Sequence, residues 1–201
     1  MISELFVAVV FAGTLSSGGP APLQVGHRVP FPGDDRATVA DFERRVQSYM
    51  DLRTEVTSAV LPFTVTADIG EIQRTVDKLA IGIRLGRADA RRGDVFSPDI
   101  AALFRRVIRT SCHDQFGELL AVINEDWETP LPPASVHGRW PDGIPFPTMP
   151  PYLLAALPRL PPELEYRFIN RDLVLRDIDA NLIVDFVPEA IPATSWTITH
   201  R

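Results

Sequence analysis

The chain has 201 residues and a mass of 22.3 kDa, enough for one domain with a full core or one domain plus a tail. Hydrophobic residues make up 45% and charged residues 23%, which excludes wholesale disorder, collagen-like repeats and a multi-span membrane protein. The formal charge of -6 gives no general attraction for phosphate backbones, so nucleic acid is not an expected partner.

Residues 5–15 (LFVAVVFAGTL) form an uncharged, mostly apolar run of 11. The run is too short to cross a bilayer as a helix, which takes about 20 residues. It suits the hydrophobic stretch of a secretory signal. Ser16, Ser17, Gly18, Gly19 and Ala21 follow and suit a peptidase site within 18–21, and no Cys follows to accept a lipid anchor. Met1-Ile2-Ser3-Glu4 lacks the Lys or Arg that normally precedes such a run, as it would if the start codon were placed too late or if the run were a buried strand or helix. The expectation is export: a signal peptide over 1–19 and a periplasmic or extracellular chain, with no stable membrane anchor once the signal is cleaved.

Residues 20–37 are rich in Pro and Gly, contain His27 and show no apolar period, so they read as a linker. Residues 38–60 predict the first helix, with Phe42, Val46, Tyr49, Met50, Val56 and Val60 near one face. Asp41 and Glu43 lie in its first turns, where the helix dipole favours carboxylates, and Pro62 marks its end. Asp68 starts the second helix, with Asp68 and Glu71 placed as a capping pair and Ile72, Val76, Leu79, Ala80 and Ile83 as the buried stripe. Arg91-Arg92-Gly93-Asp94 is a turn by composition. Ser97-Pro98-Asp99 opens the third helix, a hydroxyl cap followed by Pro at the first helical position, where no amide is needed. Ile100, Leu103, Phe104, Val107 and Ile108 form its apolar face. A bend is expected near Ser111, after which Phe116, Leu119, Leu120 and Ile123 resume the pattern. Residues 38–128 therefore predict an antiparallel bundle of three or four helices.

Residues 129–162 change character, because eleven of the 34 are Pro. Such a segment cannot donate the amides of a central strand or a long helix. Val136, Trp140, Ile144, Phe146, Met149, Tyr152 and Leu153 make it too apolar for a free linker. It reads as an ordered strap across the bundle with a short helix at 152–157. Residues 164–169, 173–178 and 182–187 are rich in strand formers and are separated by Asn170-Arg171 and Asp179-Ala180-Asn181, which suit tight turns. They predict a three-stranded antiparallel meander, spanning 163–191 with its flanks and packed on the bundle, and 192–201 reads as a tail. The fold class is α+β.

The C-terminal third reads Arg139-Trp140-Pro141-Asp142, then Pro150-Pro151-Tyr152-Leu153, then LEYRFINRDLVLRDIDANLIVDF. This resembles a group of exported bacterial proteins of unknown function in which a helical region precedes a Pro-rich segment and a β ending of this kind. More distantly, it is similar to the small β module of RcnB-like periplasmic proteins, which are linked to nickel and cobalt homeostasis. The chain has no His- or Met-rich tract, so no metal role is carried over. Neither group implies a catalytic residue.

Cys112 is the single cysteine, so neither an internal disulfide nor a Cys-based zinc site can form. Cys112-His113-Asp114 has the residue types of a catalytic triad, but neighbouring side chains on a helix diverge by about 100° and triads assemble from distant positions. His27, His113, His137 and His200 show no metal-ligand spacing, and phosphate-binding Gly loops and the GxSxG elbow are missing, so no cofactor and no metal are expected. Seven arginines between 84 and 109 surround one turn, either as a patch for an anionic partner or as salt-bridged helix ends. Strand alternation places Asp177 with Leu173 and Leu175, and Asp185 with Ile183 and Val187. Carboxylates on an apolar strand face either bond Arg or turn amides, or work as an acid/base pair in a groove. Arg139 and Trp140 are residue types that dominate interfaces, unless the Trp serves to pin the strap. The interaction candidates are Arg139, Trp140, Asp142, Tyr166, Arg167, Asp177 and Asp185. The reading favours a non-enzymatic binding or structural envelope module whose partner is a protein or an envelope component. Its alternative is a hydrolase of glycan or peptide, which would need two carboxyls about 5–9.5 Å apart at a groove.

Overall fold

The computed structural model describes residues 31, 35–60, 68–112, 131–140, 144 and 148–191. The leader, most of the linker, the continuation beyond Cys112, Asp142 and the 192–201 tail lie outside the described residues.

Helix α1 (Arg36–Val60) begins two residues earlier than its apolar period suggests and buries Phe42, Val46, Tyr49 and Arg53 along one stripe. Helix α2 (Ile69–Gly86) starts at Asp68, whose carboxylate accepts the Gly70 and Glu71 amides at 2.7 and 3.2 Å. Only the Asp68 half of the expected capping pair forms these bonds. Leu79, Ala80 and Ile83 are its buried face. Gly82 lets α2 approach α1 closely, since a Cβ there would stand 2.4 Å from Val56 Cγ1. Helix α3 (Pro98–Ser111) has the Ser97 cap and the Pro at its first position, and it buries Ile100, Ala101, Leu103, Phe104 and Ile108. Helix α4 (Pro151–Ala156) is one turn and a half, entered through Pro150-Pro151, and lies against α3.

Strands β1 (Leu164–Ile169), β2 (Asp172–Asp177) and β3 (Leu182–Val187) pair antiparallel in the order β1-β2-β3. Asn170 and Asn181 take φ of 53° and 48°, the left-handed conformation that Asn tolerates better than most residues, and this lets the chain reverse. One sheet face, with Leu164, Tyr166, Phe168, Leu173, Leu175 and Val187, joins the helices in a single core. At its centre Phe42 lies 5.7 Å from Phe96 and 5.2 Å from Phe104, and Phe104 lies 6.0 Å from Tyr166, ring centroid to centroid. Offset and edge-on aromatic pairs at these separations add to their area burial.

The strap departs from expectation in its first half. Residues 131–140 lie on the sheet, not across the bundle. Leu131, Ala134 and Trp140 cover Ile169, Val174 and Ile183 on the sheet's far face. Two main-chain bonds join the strap to β3: His137 N donates to Ile183 O and Ile183 N donates to Gly138 O, both at 2.8 Å. The strap thus covers part of the open edge of β3, which would otherwise expose unpaired amides. Only its second half, with Met149, Leu153 and Leu157, joins the helical core. No helix among the described residues is long and apolar enough to cross a membrane.

Candidate functional site

The carboxylates of the sheet are the first place to look for chemistry. Asp177 ends β2 and is fully buried. Its Oδ2 accepts the Tyr49 hydroxyl and Arg53 Nε, each at 2.8 Å, and its Oδ1 accepts the Ala180 amide at 2.9 Å. Arg53 also pairs with Asp179. Burial, the Asp177 charge and the hydrogen bond to it together push the Tyr49 hydroxyl far above an ordinary phenol, so it stays a donor. Burial pulls Arg53 down, but the Asp177 and Asp179 carboxylates outweigh it and leave Arg53 more basic than usual.

Asp185 lies on β3 and is equally buried. Its oxygens accept the amides of Gly93 at 3.0 and 3.1 Å, Val95 and Phe96 at 2.8 Å each, and its own neighbour Phe186 at 2.8 Å. The turn between α2 and α3 therefore wraps a carboxylate in converging N–H groups, a geometry suited to anions. Gly93, at φ 98°, supplies the positive-φ step of that turn. Strand alternation had put Asp185 on the side of Ile183. A bulge corrects this: Leu175 pairs with Asp185 while Arg176 pairs with Ile183, so Val184 is an extra residue. Ile183 then faces the strap, and Asp185 faces the helices with Val187.

The other candidates are used in similar ways. Trp140 is 3% exposed, its Nε1 donates to Ile144 O at 2.9 Å, and it anchors the strap to the sheet rather than to the bundle. Arg139 pairs with Asp77 at 2.5 Å across to α2, and this partner holds the Asp77 carboxyl below its usual range. Tyr166 is buried in the aromatic cluster and donates to Pro158 O at 3.1 Å; burial drives its hydroxyl well above an ordinary phenol. Arg167 and Arg176 both bond Glu165, at 2.6 Å each. Trp140, Tyr166, Asp177 and Asp185 are thus closed to a partner, because each side chain is consumed by the interior. Three of the seven arginines between 84 and 109 are taken up by the main chain. Arg84 donates to His137 O, Arg87 to Val184 O and Arg105 to Pro188 O, so they fasten strap and sheet through main-chain carbonyls.

A concave feature lies elsewhere among the described residues. A cleft of about 280 Å³ opens between α1 and the turn after α2. Buried Tyr49 and Val95 and half-buried Leu52 form its apolar side, and Arg45, Ser48, Arg87 and Asp94 its polar side. Arg45 Nε donates to Asp41 at 2.7 Å and its Nη1 to Asp94 O at 2.8 Å. The Arg87 guanidinium stands 5.2 Å from the Tyr49 ring centroid, and its Nη2 is 4.0 Å from the Asp94 carboxylate. Its cation–π contact and the bond to Val184 O hold it in place. Of these residues only Arg87 was a candidate by sequence, as one of the seven arginines read as a patch for an anionic partner or as salt-bridged helix ends. Arg45 gave no signal beyond an ordinary charged helix face.

Among the described residues no three His, Cys, Asp or Glu side chains converge to hold a metal ion. Comparison of the chain with protein-family models, curated proteins and solved structures finds no match.

Proposed function

We propose that this chain is an exported, non-enzymatic binding module whose recognition surface is the arginine-lined cleft beside α1. One observation carries the reading: the two sheet carboxylates best placed for acid/base work already have their oxygens bonded, Asp177 to Tyr49, Arg53 and Ala180, and Asp185 to the 93–96 turn and Phe186. A general acid or base has to reach the substrate's proton, directly or through one water. Neither carboxylate is exposed to do so. The cleft instead offers fixed guanidinium groups beside apolar side chains, which is recognition chemistry. The apolar run at 5–15, followed by small residues, supports export. The resemblance to exported bacterial proteins points the same way.

The test has two arms. Full-length chain with a C-terminal tag is expressed in a bacterial host, and its cell fraction and amino terminus are determined. The expected product is a periplasmic or secreted chain beginning within 18–21; an uncleaved cytoplasmic chain overturns export. In the second arm, wild type and Asp185→Asn are assayed on peptidoglycan and on peptide substrates. The expected outcome is no turnover by either. Turnover by wild type that a folded Asp185→Asn variant loses would establish the hydrolase reading in its place.

A further inference from the structure

We propose that the cleft binds a small monocarboxylate with an apolar body, an inference that rests on the binding-module reading and specifies its ligand. A guanidinium carries more N–H donors than the protein uses here. Arg45 gives Nε to Asp41 and Nη1 to the Asp94 carbonyl, and Arg87 gives Nη1 to the Val184 carbonyl. Arg45 Nη2 makes no hydrogen bond within the described residues, and Arg87 Nη2 has only the Asp94 carboxylate at 4.0 Å, beyond hydrogen-bond distance, so both can turn to a ligand. Two guanidiniums lining one cleft suit a planar carboxylate, which they grip through paired, directional bonds. Both are pre-positioned, Arg45 by its two acceptors and Arg87 by the Tyr49 ring and β3, so little side-chain entropy is lost on binding.

Charge decides between anions. Asp41 also pairs with Arg44, so the charges facing the cleft are Arg45, Arg87 and Asp94, one positive in sum. A single negative charge neutralises that set. A phosphate dianion would overshoot it and meet the Asp94 carboxylate at close range. Size and polarity decide the rest. Leu52, Val95 and Tyr49 supply the apolar lining of the cleft. The cleft of about 280 Å³ has room for a carboxyl on one ring or on a short branched chain.

Calorimetric titration of the full chain with benzoate, 4-methylvalerate, benzamide and inorganic phosphate tests this. Saturable one-to-one binding of both carboxylates is expected, with benzamide and phosphate weaker by about tenfold or more. Arg45→Gln and Arg87→Gln are each expected to weaken benzoate by about tenfold or more. Arg45 is half-buried and not part of the core, so Arg45→Gln keeps the test decisive if Arg87→Gln fails to fold. Asp94→Asn is expected to narrow the gap between phosphate and benzoate. Absence of saturable binding by either carboxylate overturns the proposal, as do phosphate binding as tight as benzoate and benzoate binding that Arg45→Gln leaves unchanged. These results are separate from those that refute the broader reading, which fails on cytoplasmic retention or on turnover that depends on Asp185.

Discussion

Asp177, the last residue of β2, and Arg53, 124 residues before it on α1, form a buried ion pair at 2.8 Å that fastens the sheet to the helical layer. The pair joins segments at opposite ends of the described chain, and Tyr49 one turn earlier donates to the same oxygen. Removing one member of a buried pair leaves the other charge desolvated without compensation, whereas replacing both with apolar groups removes the penalty as well as the attraction. Arg53→Met and Asp177→Leu are each expected to cost about 3 kcal/mol or more, and the double variant less than either single change. Urea unfolding of the three variants measures this; a double variant as unstable as the sum of the singles would show that the two side chains act independently.

Asp185 predicts a different response, because its partners are main-chain amides rather than a cation. Asp185→Asn keeps the shape but turns one acceptor oxygen into a donor facing N–H groups of the 93–96 turn. The expected cost is about 1–3 kcal/mol for amides left without an acceptor. Hydrogen exchange at Val95 and Phe96 is expected to accelerate more than exchange in α3. Uniform protection across both regions would mean that Asp185 does not organise the turn.

Local chemistry made much of this fold legible. The Asp68 and Ser97 caps, the Pro98 start and the Asn turns act within a few residues, and each stands where its spacing predicts. Strands β1 and β3 match their sequence bounds, and β2 differs by one residue. What escaped is set by partners far along the chain. Arg53 extends the stripe of Phe42, Val46 and Tyr49 by one more turn, but a period traced only through apolar residues passes over it. The bulge at Val184 has no local signature, and it changes the face of every residue before it on β3. The strap's composition showed that it must be covered without showing by what. The cleft depends on Arg45 of α1 meeting a main-chain carbonyl 49 residues later, which no periodicity encodes.

Gly82 offers a test of the α1–α2 contact. In an isolated helix Gly82→Ala would gain about 1 kcal/mol. Here the added methyl would stand 2.4 Å from Val56 Cγ1, inside contact distance. Overpacking costs about 1–3 kcal/mol, so a net loss of stability is expected. Gly82→Ala combined with Val56→Ala is expected to recover most of it, because the second change removes the atom in the way. Thermal unfolding of single and double variants decides; a stabilising Gly82→Ala would show that the helices can separate freely.

His137 gives the fold a dependence on pH. It stands at φ 64° where the strap pairs with Ile183, and its Nε2 is buried with no hydrogen-bond partner among the described residues. Burial, then Arg87 just past α2 and Arg84 in its last turn, hold its imidazole below the ordinary value of 6.5. The unfolded chain therefore takes up a proton before the folded one. Stability from the neutral imidazole is present above 6.5 and is lost as pH falls below it. His137→Asn keeps a residue that tolerates positive φ and cannot be charged. The expected result is a similar melting temperature at about pH 7.5 and a smaller fall by about pH 5 than in wild type. Equal falls in the two proteins would place the acid sensitivity elsewhere. If the strap is the part that loosens, exchange at the Ile183 amide, which bonds Gly138 O at 2.8 Å, accelerates in acid before exchange in the helical core.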